Sequence, residues 1–190
     1  MSDDQARLYM QEIIEKISQT LEKSTSEDDI YNKIVNAPFT DKLYATSLDL
    51  GIVVLLRVNE KDNMIDRVAL SDTSLAVEAV RASAKPFKDI RIPLDTQENI
   101  IASTIRDNSS RATEDWRSLF APALTSSEAR RNQTSAGIEC SIVYPLSTVP
   151  GGALIFSYYQ PERNLSSVHK NFMVAFTGLV SKQLGRFSEQ

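Results

Sequence analysis

The chain has 190 residues, 42% of them hydrophobic and 24% charged, with one Cys, one His and a net charge of −4. That length buries a core without disulfides or structural metals. The single Cys and His exclude an intrachain disulfide and a Cys/His zinc centre, and a Cys–His dyad unless those two residues meet.

The charge is uneven: residues 1–30 hold eight acids and three bases, and the remainder is close to neutral. Neither part carries the dense basic stripe that nucleic-acid binding needs. The start, Met1-Ser2-Asp3-Asp4, is acidic where a signal peptide is basic, and no apolar run is long enough to span a bilayer. A cytoplasmic protein with no nucleic-acid, membrane or metal partner is expected.

In chain order, residues 5–23 read as a helix with Met10, Ile13, Ile14, Ile17 and Leu21 on one stripe. Ser24-Thr25-Ser26 breaks it. Glu27, Asp28 and Asp29 then open a second helix that carries Ile30, Ile34 and Val35 and ends near Pro38. The period changes at Ile52–Val58, a buried strand. A polar turn at residues 59–63 leads to a second strand, Met64–Leu70, completing a hairpin.

Asp72 is placed to cap a helix with Leu75, Val77 and Val80. Residues 90–94 are extended before Pro93. Asp95 and Glu98 are placed to open a helix with Ile100, Ile101 and Ile105. Ser110–Thr113 reads as a short strand and residues 115–124 as loop. Thr125 and Glu128 have capping-box spacing, and Gly137 closes their helix. Two strands, Ile138–Leu146 and Ala153–Tyr159, flank a turn at residues 148–152. Ser166 opens a last helix with Val168, Phe172, Ala175, Phe176, Leu179 and Leu184 inside. Strands separated by helices, with two hairpins, give an α+β domain on one antiparallel sheet. It divides into a helical arm, 1–25, and a body, 26–190.

With those residues in place, the chain resembles a GAF domain from about Ile52 to Phe187. The resemblance is most specific in "AGIECSIVYPL" and "GGALIFSYYQPERNLSSVHKNF", and "RIPLDTQENIIASTI" with "TEDW" is similar to the family's middle section. It implies a GAF-like sheet of five or six strands, N- and C-terminal helices packed on one face, and a pocket on the other face roofed by the irregular middle segment. It also implies a sensory or regulatory role, a small-molecule ligand and a homodimer through the terminal helices. On that view Met10, Ile13, Ile14, Ile17 and Leu21 form the dimer interface, because a lone apolar stripe on an acidic arm wants a partner. Output would pass through a separate effector protein or the oligomeric state.

Known chemistries of the family fit poorly. The Asn-Lys-Phe-Asp-Glu signature of cyclic-nucleotide binders is missing. Cys140 lies in a strand, not where photoreceptor members attach a bilin. Free methionine sulfoxide reductases use several cysteines, and one Cys cannot both attack and resolve. A non-enzymatic module is expected, with that reductase and a purely structural dimerisation module as the alternatives. No phosphate loop or nucleophile elbow is present.

The candidate ligand-lining residues are Trp116, Cys140, Tyr144 and Tyr158. Each also has a plainer reading, Trp116 as an anchor for a loop and Cys140 as core packing. His169 reads as a boundary residue of the last helix, not a haem ligand. Arg130, Arg131 and Gln133 read as a solvated helix face. Alternation puts Cys140, Ile142 and Tyr144 on one face. On the paired strand it sets Ile155 and Ser157 against Leu154, Phe156 and Tyr158. Which face meets the pocket is open, as are the ligand and any cofactor.

Overall fold

A six-stranded antiparallel sheet divides the molecule, with helices against both faces. The computed structural model describes residues 3–188; the outermost residues of the two predicted units, 1–2 and 189–190, lie outside the described residues. Its elements are α1 (Asp3–Glu22), α2 (Glu27–Asn36), α3 (Lys42–Ser47), β1 (Leu50–Asn59), β2 (Met64–Leu70), α4 (Ser74–Ala82), β3 (Ile92–Pro93), α5 (Ile100–Asp107), β4 (Arg111–Thr113), α6 (Arg117–Phe120), α7 (Ser126–Ala136), β5 (Cys140–Leu146), β6 (Gly152–Tyr158) and α8 (Ser167–Ser188). The strand order is β3-β2-β1-β6-β5-β4. β1 and β6 lie at the centre, so both their faces are covered and they read as nearly continuous apolar runs. A side chain at Gly152 would collide with the Leu56 carbonyl oxygen across that central pair.

One face carries the chain's terminal helices. Ile13, Ile17 and Leu21 of α1, Ile30 and Ile34 of α2, and Phe172, Phe176 and Val180 of α8 pack on Val53, Leu55, Leu154 and Phe156. The stripe on α1 is therefore covered within one chain. Ile13, Ile17 and Leu21 are buried, Met10 and Ile14 half-buried, and Leu8 and Val174 point to solvent. The partner that the stripe required is mainly α8 of the same chain, so α1 shares the body's core.

The opposite face carries α4, α5, α6 and α7, packed on Ile52, Val54, Leu56, Val143 and Ile155. This is the face roofed by the middle of the chain. α7 starts with the expected capping box and ends on Gly137 at φ 64. The caps of α4 and α5 differ from expectation by one and several residues. Thr73, not Asp72, accepts from the Ala76 N–H. Asp72 instead donates its own N–H to Asn36 Oδ1 at 2.7 Å.

Asn99, not Asp95 with Glu98, caps α5 by accepting from the N–H groups of Ile101 and Ala102. A fully buried Asn serves there because its amide nitrogen also donates to the carbonyls of Leu119 and Ala121. One side chain thus caps a helix and fastens the roof. α3 and α6 fall in stretches too short to show a helical period.

His169 is buried, not a boundary residue: 7% exposed, it joins the start of α8 to the start of β1. Its Nδ1 accepts from the Ser166 N–H at 3.0 Å, which leaves Nε2 to donate to the Leu48 carbonyl at 3.1 Å. Gln160 and the Tyr158 ring complete its surroundings. Burial lowers its pKa from the usual 6.5, against a smaller opposing pull from the Leu48 hydrogen bond and Asp49. The unfolded chain therefore takes up this proton first as pH falls. Stability from the neutral ring is complete above about pH 6.5 and is lost as pH falls below it. Urea unfolding midpoints at pH 7.5 and 5.5 are expected to differ less in His169→Leu than in the wild type, and an equal drop in both would remove His169 from the pH response.

Candidate functional site

The roofed face holds a half-open cavity of about 50 Å3, bounded below by β1, β2 and β6 and above by α4, α6 and α7. Its walls are mostly apolar, with Ile52, Val54 and Ile155 on the floor and Leu119, Phe120 and Trp116 in the roof. An apolar cavity with a few converging polar groups is the usual form of a small-molecule site. This one is smaller than an ordinary ligand pocket. The cavity is half open, so a ligand of more than a few heavy atoms extends out through its mouth.

The polar group that stands out is Arg67. The β1–β2 register sets Leu55 against Ala69 and Leu56 against Arg67, which leaves Val68 without a partner. This bulge reverses the alternation along β2. Counting back by twos from Leu70, which lies on the cavity side, residue 67 would face the terminal helices. With the bulge, Arg67 joins the cavity wall. It is 4% exposed, and its Nη1 donates to the Ile90 carbonyl at 2.9 Å. Its Nη2 lies 3.4 Å from the Leu119 carbonyl, and the guanidinium carbon sits 4.7 Å from the Phe120 ring centre.

The ion pairs among the described residues involve other cations: Lys33, Arg81, Arg91, Arg111 and Arg117. Burial without a carboxylate pushes the Arg67 pKa down to about 9, so the group is still charged at neutral pH.

Trp116 sits in the roof, where it anchors the segment before α6 and lines the cavity. Its indole N–H donates to Ser141 Oγ at 2.9 Å, and Ser141 shares a 2.7 Å hydrogen bond with Ser157 on the cavity floor. The Trp116 backbone N–H donates to Gln133 Oε1, and Gln133 Nε2 donates to the carbonyls of Glu114 and Ile138. Gln133 is thus a roof fastener, while Arg131 reaches the Ala82 carbonyl at 3.1 Å and Arg130 is exposed. Asn132, 2% exposed, donates to the carbonyls of Ala82 and Glu128 in its satisfied orientation and lines the cavity.

Of the four candidate lining residues, only Trp116 meets this cavity. Cys140 and Tyr158 are fully buried on the other side of the sheet, in the core under the terminal helices. Tyr144 is half-buried on that side, in a shallow groove with Lys170 and Met173. The reason is alternation: Ser141 and Val143 take the cavity side, so Cys140 and Tyr144 cannot. Burial, with the carboxylates of Glu114, Glu162 and Glu139, pushes the Cys140 thiol up to about 12. A thiol in that state is inert as a nucleophile at neutral pH.

Arg67, Phe120 and Asn132 were not among the sequence candidates. Arg67 shares its face with Ile65, while Ala69 lies beyond the bulge on the other face, so strand alternation alone does not place it. The other two carry no signal outside the fold. Among the described residues, no cluster of His, Cys, Asp and Glu could hold a metal ion, and no helix is long and apolar enough to cross a membrane.

No family model and no curated protein matches the chain by sequence. Solved structures do match in shape. The GAF domain of an Acinetobacter phosphoenolpyruvate-protein phosphotransferase superposes with a TM-score of 0.65 at 14% identity, covering 100% of this chain and 97% of that one. A free methionine-R-sulfoxide reductase from Neisseria meningitidis, in complex with its substrate, gives 0.63 at 11% identity, with 99% and 96% covered. The phycoerythrobilin-bound GAF domain of a cyanobacterial phytochrome gives 0.63 at 12% identity, with 97% and 100% covered. At such identities the likeness speaks for the fold alone: along its length, the chain has the fold of a GAF domain.

Proposed function

We propose that the protein is a non-enzymatic regulatory module that binds a small molecule in the cavity under Trp116. The observation that carries this reading is Arg67, a charged group buried in an apolar cavity without a carboxylate. A core built only for packing does not need such a group. The placement of Cys140 supports a binding role over that of a reductase. A thiol attacking a ligand in this cavity would have to act through the sheet, and it is protonated at neutral pH.

Binding here stabilises the folded state by mass action. Thermal melts against a panel of small acids, amides, amino acids and nucleosides test the reading, with Val54→Phe as the cavity-filled control. At least one compound should raise the wild-type Tm and leave the control unmoved. A panel with no active compound, or equal shifts in both proteins, would sink the reading.

The output proposed is pairing of two copies through the outer faces of α1 and α8. The exposed Leu8 on α1 and Val174 on α8 support it. Removing the arm would strip the core of Ile13, Ile17 and Leu21, so the suitable variant is Leu8→Glu. Light scattering should show a dimer for the wild type and a monomer for Leu8→Glu. A monomeric wild type contradicts the pairing.

A further inference from the structure

We propose that the cavity takes a small monocarboxylic acid, its carboxylate paired with the Arg67 guanidinium and its hydrocarbon part against Val54, Ile155 and Leu119. This rests on the reading of the cavity as a ligand site and names the ligand's charge. A guanidinium has five N–H donors. Here two face protein carbonyls, that of Ile90 at 2.9 Å and that of Leu119 at 3.4 Å. The second is longer than an ordinary hydrogen bond and holds its donor weakly. Phe120 covers one face of the guanidinium plane, so the free donors lie along its edge. That edge matches the two oxygens of a carboxylate.

The charge count limits the anion. Arg67 is the single ionisable group in the cavity wall, and the neutral polar side chains Ser83, Asn132 and Ser157 already have protein partners. One buried cation compensates one negative charge. A phosphate dianion would need a second cation or a nest of backbone N–H groups, and the wall holds no Lys, second Arg or glycine-rich loop. The cavity of about 50 Å3 selects a short hydrocarbon part. The walls that would meet it are aliphatic or aromatic, so an acid with further polar groups would leave those groups unpaired.

Titration calorimetry on the full chain with isovalerate, isovaleramide and inorganic phosphate tests this, using wild type, Arg67→Met and Val54→Phe. The acid and its amide share shape and differ in charge. Wild type should bind isovalerate about tenfold or more tighter than isovaleramide or phosphate. Arg67→Met should lose that preference while melting cooperatively, and Val54→Phe should bind neither organic compound. Equal binding of acid and amide by wild type overturns the charge assignment; if Val54→Phe still loses both, the cavity reading survives. Unchanged isovalerate affinity in Arg67→Met also overturns it, and tighter binding of phosphate replaces the carboxylate with a different anion. Failure of wild type to bind any of the three overturns the monocarboxylate, and the wider melting panel then decides the fate of the cavity reading. The acid–amide comparison needs only wild type, so it holds even if Arg67→Met folds poorly.

Discussion

Phe156→Ala is expected to destabilise the protein by about 3–5 kcal/mol, the range for truncating a large aromatic side chain in a packed core. Phe156 is fully buried at the middle of β6. Its ring meets Tyr144, Phe172 and Phe176 edge-on, with centroids 6.1, 6.2 and 6.0 Å away. Phe172 continues the cluster to Tyr44 of α3 at 5.6 Å. One side chain therefore joins two strands of the sheet to α8, and through it to α3. The surrounding elements are fixed by the sheet ladder on one side and by α1 and α2 on the other, so the cavity left behind closes little. Chemical denaturation of wild type and variant measures the difference. A loss under about 1 kcal/mol would mean that the helical layer is not held through this cluster.

Arg67→Met is expected to change stability in the opposite direction, raising it by about 1–2 kcal/mol. Two terms compete. Arg67 pays the desolvation cost of a buried charge, several kcal/mol after relaxation. Against this stand one good hydrogen bond to the Ile90 carbonyl, a long one to Leu119 and the contact with Phe120. Losing the first leaves a carbonyl to satisfy, at about 1–3 kcal/mol. The second costs little, because Asn99 also donates to the Leu119 carbonyl at 3.1 Å. Met fills similar volume without a charge, so removal of the desolvation cost prevails. A site kept for binding at the expense of stability behaves in this way. A clear loss of stability in Arg67→Met would instead make Arg67 a structural tie between sheet and roof.

The sequence carried the architecture further than the site. Strand and helix positions follow from periodicity because each long element has one burial pattern over several turns or pleats. The capping box at Thr125 and the left-handed Gly137 are local devices and can be read locally. The cap on α5 could not, since Asn99 is selected by two roof carbonyls about twenty residues downstream as well as by its helix. The same holds for the stripe on α1. Periodicity announces an apolar face, but whether α8 of the same chain or a second copy covers it depends on tertiary structure. Arg67 was hidden for a sharper reason. Its direction depends on the bulge at Val68, one unpaired residue that leaves no trace in composition and reverses the face of every residue before it. Strand parity groups Cys140 with Tyr144 but does not say which face meets the roof, and the structure puts both, with Tyr158, on the other side.

Trp116 is the sole tryptophan in the chain, and its indole N–H sits in the cavity roof bonded to Ser141. Its single indole signal in a proton–nitrogen NMR correlation spectrum therefore reports directly on where a ligand binds. Titrating the full chain with isovalerate should move that signal saturably, together with backbone signals of Val54, Leu119 and Ile155, and should leave α1 and α8 still at low occupancy. A titration in which Trp116 stays unmoved while signals of the terminal helices or the Tyr144 groove shift would contradict the assignment of this cavity as the ligand site.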